Sequence, residues 1–119
     1  MTNEEFAEFF KKKTKGWAIL VIKYLNKIPD SPVMRNIRFQ LIKSATSTAA
    51  NYRAACRGRS NAEFSSKISI SLEEADESLF WLEMIEGCEI DNSIELKELQ
   101  NEANSIIGVL VKARKNTEK

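Results

Sequence analysis

Apolar residues recur every three or four positions through four long stretches of this chain, and no stretch shows the strict alternation of a half-buried strand. In the first, Phe6, Phe9, Phe10, Trp17, Leu20, Val21, Tyr24 and Ile28 fall on one helical stripe. Pro29 ends it, because proline cannot continue a helix and disfavours helical geometry in the residue before it. Ser31 and Pro32 read as the N-cap and first position of a second helix. Its inner face is Met34, Ile37, Leu41, Ala45, Thr48, Tyr52 and Cys56, and Gly58 is the expected stop.

Ser60 and Glu63 have the spacing of a capping box and predict the start of a third helix. Phe64, Ile68, Leu72, Ala75, Leu79 and Leu82 line its core side, with Gly87 to close it. Asn92 and Glu95 repeat the pattern before Leu96, Leu99, Ala103, Ile106, Leu110 and Ala113, and residues 114–119 read as a frayed polar tail. The expected architecture is all-α, a single domain over residues 1–119 with helices at about 3–28, 32–57, 61–87 and 93–114. Short connections force sequential helices antiparallel, so an up-down-up-down four-helix bundle is predicted. Cys56 and Cys88 then lie at opposite ends of the bundle, beyond reach of a disulfide.

Several apolar residues fall outside these stripes. Ile70, Trp81, Met84 and Ile85 cluster on a second face of the third helix, and Ile19 and Ile22 lie off the main stripe of the first. Contiguous exposed apolar surface usually marks an interaction site, so a homo-oligomer is expected. The run from Ser44 to Asn51 is all small, which suits close approach of another helix better than it suits chemistry.

Charge changes the picture only locally. Lysine and arginine total 18 against 17 acids, a net charge of +1, so any electrostatic function must come from segregation along the chain. Arg35, Arg53 and Arg57 share a helical face, Arg59 follows in the turn, and Lys11, Lys12, Lys13 and Lys15 add a basic cluster on the first helix. Arginine forks suit phosphate and carboxylate alike, which leaves two readings open. In one the cations bind RNA or DNA phosphates. In the other they pair with Glu73, Glu74, Asp76 and Glu77 of the third helix, across the hairpin or between subunits, and Arg53, Glu73, Asp76 and Glu77 join Ile70, Trp81, Met84 and Ile85 in an interface.

Candidate chemistry is sparse. The chain has no histidine, which removes the commonest neutral-pH base and the imidazole ligands of ferritin-like di-iron bundles. Ser44, Thr46, Ser47 and Thr48 have no base nearby in sequence, and Gly16, Gly58, Gly87 and Gly108 are isolated, so there is no phosphate-binding loop. No catalytic residue, metal or cofactor is expected. Residues 1–15 set Phe6, Phe9 and Phe10 among charges rather than forming a signal peptide, and the longest apolar run, Trp17 to Ile22, is far short of the ~20 residues of a membrane span. A soluble cytoplasmic protein is expected.

The stretch from Gln40 to Leu82 carries Ser44-Ala45, then Ala50-Asn51-Tyr52-Arg53-Ala54-Ala55-Cys56, Arg59-Ser60, Glu63-Phe64, Lys67-Ile68, Glu73-Glu74-Ala75-Asp76-Glu77-Ser78 and Trp81-Leu82 in order. It resembles the bacterial four-helix-bundle proteins encoded in intervening sequences of 23S ribosomal RNA genes, in detail over the middle two helices and in pattern over the outer two. The resemblance implies a ring-forming bundle, typically a pentamer, and no enzymatic activity. A related branch, the accessory proteins of diversity-generating retroelements, implies nucleic acid and a reverse transcriptase as partners.

Overall fold

Hydroxyls start each helix. Thr2 Oγ1 accepts the Glu5 amide at 3.0 Å while the Glu5 carboxylate accepts the Thr2 amide at 2.9 Å, a capping box that holds the Glu5 carboxyl below its usual range. Ser31 caps Met34 N–H with Pro32 at the first helical position, and Ser60 caps Glu63 N–H. The fourth cap is Ser93, whose hydroxyl accepts the Leu96 amide at 3.2 Å, one residue later than Asn92. The computed structural model describes residues 1–117, and in it these caps open α1 (Asn3–Leu25), α2 (Pro32–Cys56), α3 (Asn61–Gly87) and α4 (Ile94–Thr117). No strand occurs among the described residues.

Each helix packs on its neighbours in sequence, and α4 returns to α1. The diagonal pairs make no close backbone approach among the described residues. Side-chain bridges give the directions. Phe10 meets Tyr52 edge-on at 4.7 Å and Arg38 donates to Ile28 O; Ser44 meets Ser78 and Thr48 meets Ser71. Gln100 reaches Leu82 O and Thr117 reaches Ser65; Trp17 Nε1 donates to Leu99 O and Lys27 pairs with Glu95. In every neighbouring pair one number rises as the other falls, so all are antiparallel and the up-down-up-down bundle is formed, 45 × 25 × 19 Å.

The core runs the length of the bundle around Phe10, Trp17, Tyr24, Met34, Leu41, Ile68, Leu82, Ile85, Leu96, Ile106 and Leu110. Each fully buried large side chain contributes about 1.5–3 kcal/mol relative to exposure. Two parts of the sequence reading need correction here. Phe6, Phe9 and Leu20 are 39%, 50% and 54% exposed: Leu20 lines a groove left open at the α1–α4 interface, the least extensive of the bundle, while Phe6 stacks on the outer side of Phe10 and Phe9 lies beside Lys13. Thr14 and Ala18 take the inner positions instead, the threonine hydroxyl satisfied by Phe10 O at 3.0 Å. Residues 114–117 are not frayed, since α4 continues to Thr117 and is held by Asn61 and Ser65 of α3; the rest of the expected tail, 118–119, lies outside the described residues.

Helix endings also differ from expectation. Neither Gly58 nor Gly87 has a positive φ; Gly58 sits in a tight corner, since a Cβ there would come within 3.1 Å of Ala55 O and 3.3 Å of Phe64 N and the backbone would have to give by a few tenths of an ångström. At the end of α3 the left-handed residue is Glu89, φ 59°, with Ile90 N–H bonded to Ile85 O and Glu89 N–H to Glu86 O, a Schellman motif built without glycine. The α3–α4 connection is then clasped to α1: Tyr24 Oη and Ser93 Oγ each donate to Asp91 at 2.6 Å. Those bonds, that from Ser93 foremost, hold the Asp91 carboxyl below its usual range, while burial and Asp91 push the Tyr24 hydroxyl up. Cys56 and Cys88 are free thiols at opposite ends of the bundle.

Candidate nucleic-acid and assembly surfaces

The basic residues singled out by sequence divide into four environments. Lys11, Lys12, Lys15 and Arg53 line one groove of ≈ 430 Å³ between α1 and α2, floored by Ala18, Ala49 and Ala50 and flanked by Ile19 and Ile22. The small residues of α2 allow this open channel beside the cations. Arg57 and Arg59 stand exposed around a second hollow at the α2–α3 turn, joined by Lys67. Lys13 turns away to α4, pairing with Glu102 at 3.3 Å and lying 5.8 Å from the centre of the Phe9 ring. Arg35 stands about 27 Å along α2 from Arg53. There it pairs with Asp30 at 3.0 Å, and that bond holds the Asp30 carboxyl below its usual range.

Lys11 is bonded to Glu8. Lys12, Lys15, Arg53, Arg57, Arg59 and Lys67 form no ion pair among the described residues. The antiparallel register explains why the acids of α3 do not neutralise them across the hairpin. With Ser44 level with Ser78 and Thr48 level with Ser71, Arg53 stands level with Lys67, and Glu73 lies roughly 10 Å further along. Pairing across the hairpin is thereby overturned. The same register brings Arg114 and Lys115 of α4 to the height of Lys67, so one end of the bundle is basic on all four helices. Sequence reading missed Lys67, Arg114 and Lys115 because only the register between distant segments assembles them.

On α3, Ile70, Glu73, Glu77 and Met84 share the outward face; Ile70 and Met84 are 37% and 36% exposed. Phe80, missed earlier, belongs to the same face at 49% exposure. Its spacing of four from Met84 was the available signal. Trp81 is half-buried at the α2 edge, edge-on to Phe80 at 5.0 Å, its indole N–H enclosed with no acceptor among the described residues. Asp76 is exposed but lies about 100° round the helix from Glu77. Ile85 is fully buried in the core and leaves the expected interface, because it falls between Leu82 and the α3 terminus on the inner side. Glu74 turns toward α2, where burial first and Glu77 second raise its carboxyl above the usual range despite Ser47 and Lys43.

Among the described residues no three histidine, cysteine or acidic side chains gather as metal ligands, and no helix is long and apolar enough to cross a membrane.

A four-helix bundle with one basic end, a small-residue channel and an outward acidic and apolar ridge thus defines the molecule. The chain belongs to the 23S rRNA-intervening sequence protein family, whose model matches residues 9–112. It is similar to the crystal structure of a protein of unknown function from the S23 ribosomal protein family of Bacteroides thetaiotaomicron, at 26% identity over 92% of this chain and 97% of that one, with a TM-score of 0.83. Among curated proteins none matches. The resemblance read from the α2–α3 hairpin therefore holds across the bundle.

Proposed function

We propose that this protein is a non-catalytic, self-assembling module that binds nucleic-acid phosphates through its basic end. The observation that carries this reading is the convergence of Lys12, Lys15 and Arg53 on one groove, and of Arg57, Arg59 and Lys67 on the adjoining hollow, where the cations outnumber the single acid lining each, Glu8 and Glu63, and none of the six forms an ion pair among the described residues. Unpaired surface cations are the groups that displace condensed counterions from a phosphate backbone, and each phosphate so neutralised lowers log K by about 0.7–0.9 per decade of salt. The described residues form four helices and their short connections, with no element projecting among them, so recognition is of backbone and shape. The assembly expected from the family resemblance is a pentameric ring, which would repeat the basic end around one rim and add avidity.

A second reading makes the chain a scaffolding ring without nucleic acid; Glu73 and Glu77, in no ion pair among the described residues and beside exposed apolar residues, favour self-association on their own account. Gel shifts against structured RNA and duplex DNA over a salt series separate the two. Binding that weakens with salt, and weakens further in an Arg57→Glu/Arg59→Glu variant, supports the first. Absence of any shift near about 50 mM salt, where phosphate contacts are strong, overturns it.

A further inference from the structure

We propose that the groove between α1 and α4 seats an amphipathic helix of a different protein, one with two large apolar side chains a turn apart and a lysine or arginine beside them. The groove measures ≈ 640 Å³ over a floor of Gly16, Trp17, Leu20 and Leu99. It is open because α1 and α4 form the least extensive interface of the bundle, and Leu20 stands 54% exposed in it. Gly16 is the informative residue. Inside a helix glycine is costlier than any residue but proline, yet a Cβ at this position would meet nothing within 4 Å. Its φ is not positive either, so neither backbone nor packing within the chain calls for a glycine. The missing side chain deepens the groove where the ridge of another helix would enter.

Charge selects the occupant. Glu95, Glu98 and Glu102, spaced three and four residues apart, form the α4 rim of the groove. Lys27 and Lys13 of α1 reach across to Glu95 at 3.0 Å and to Glu102 at 3.3 Å, closing its two ends. Glu98, midway between these bridges, is exposed and in no ion pair among the described residues. Glu95 and Glu102 stand about 10 Å apart along α4, so the contact is about two turns long. An incoming helix thus meets an apolar floor and one open carboxylate, which an i, i+4 pair of apolar anchors with a cation beside them complements. Neither α2 nor α3 of a second copy supplies that pattern. On α3, Phe80 and Met84 lie a turn apart, but Glu77 and Glu83 beside them would face Glu98. On α2, Phe39 is followed along its line by Lys43, Thr46 and Ala50, with no second large apolar residue. Lys12, at the lip shared with the α1–α2 groove, takes no part, so the cations assigned to phosphate stay open.

A labelled helical peptide with two leucines one turn apart and a lysine beside them is the probe, titrated with the full chain and followed by fluorescence anisotropy. Saturable binding is expected, weakened about ten-fold or more by Gly16→Leu, which fills the groove, and by Glu98→Lys. A second peptide with glutamate in place of the lysine is expected to bind the wild type about ten-fold more weakly and to regain affinity for Glu98→Lys. Gly108→Leu, at an exposed glycine of α4 outside the groove, is expected to bind like the wild type. Gly16→Leu should melt no lower than the wild type, since leucine is the better helix former, so its loss of binding is not a loss of fold. A wild type that binds neither peptide, or binding indifferent to Gly16→Leu or to Glu98→Lys, overturns the proposal. A wild-type oligomer that Gly16→Leu dissociates in sedimentation also overturns it, because the occupant is then a second copy. Gel shifts against RNA and DNA are expected to be unchanged in Gly16→Leu; their loss would make the groove part of the phosphate surface and overturn a separate docking site.

Discussion

Ser44 and Ser78, 34 residues apart, bring their hydroxyls to 2.8 Å in the buried centre of the α2–α3 interface. Each also has a backbone acceptor on its own helix, Leu41 O for Ser44 and Glu74 O for Ser78, and Ser71 donates to Thr48 O at 2.7 Å a turn or two away. The small residues of this region thus let two backbones approach and fix their register by hydrogen bonds.

Replacing Ser44 by leucine is expected to destabilise the fold by about 1–3 kcal/mol, because the added volume has no space to enter. Ser78→Ala is expected to cost about 1 kcal/mol, the net worth of an ordinary hydrogen bond. Urea unfolding followed by circular dichroism reads both; a Ser44→Leu variant as stable as the wild type would show that the helices are not in close contact there.

Met84 and Ile85 are neighbours with opposite fates. Ile85 is wholly enclosed, whereas Met84 faces outward. Ile85→Ala is expected to cost about 2–5 kcal/mol. Met84→Ala at low protein concentration, where assembly does not contribute, is expected to stay within about 0.5 kcal/mol. Equal losses would contradict the placement of the α3 faces.

The bundle was legible in the sequence because helix periods, serine caps and short connections all pointed to one architecture. Ser31, Ser60 and the stripe from Ile68 to Leu82 read correctly from spacing alone. Stripe edges were less legible. A residue such as Leu20 or Ile85 sits on a flank whose burial depends on how closely the adjacent helix approaches, and local sequence carries no record of that distance. The basic residues illustrate the same limit: that Arg53 stands level with Lys67 rather than with Glu73 follows from a register fixed by Ser44, Thr48, Ser71 and Ser78 together.

The turn after α3 makes a different point, since sequence supplied a glycine two residues before the position that needs one. Glu89 carries the left-handed φ of 59° that closes the Schellman motif, where a side chain is disfavoured against the backbone. Glu89→Gly is expected to stabilise the protein by about 0.5–1 kcal/mol, the relief of strain exceeding the added flexibility of the unfolded chain. A lower Tm for this variant in a thermal melt would show that the glutamate makes a compensating interaction.

Glu74 gives the clearest dependence on pH. It is half-buried against α2, and its carboxyl is raised first by that burial and then by Glu77 one turn away, against opposing contributions from Ser47 and Lys43. A raised carboxyl binds its proton more tightly in the folded state than in the unfolded chain. Between the ordinary glutamate value of about 4.3 and the raised folded value, stability therefore falls as pH rises, and the deficit persists at neutral pH. Glu74→Gln removes the charge while keeping an oxygen for Ser47, so at pH 7 it is expected to raise stability by under about 1 kcal/mol, a modest increase in Tm at this partly solvated site. Well below pH 4, where the carboxyl is protonated in both states, the variant and the wild type should converge. Thermal melts at the two pH values provide the comparison, and a variant less stable than the wild type at pH 7 would mean that attraction to Lys43 outweighs burial.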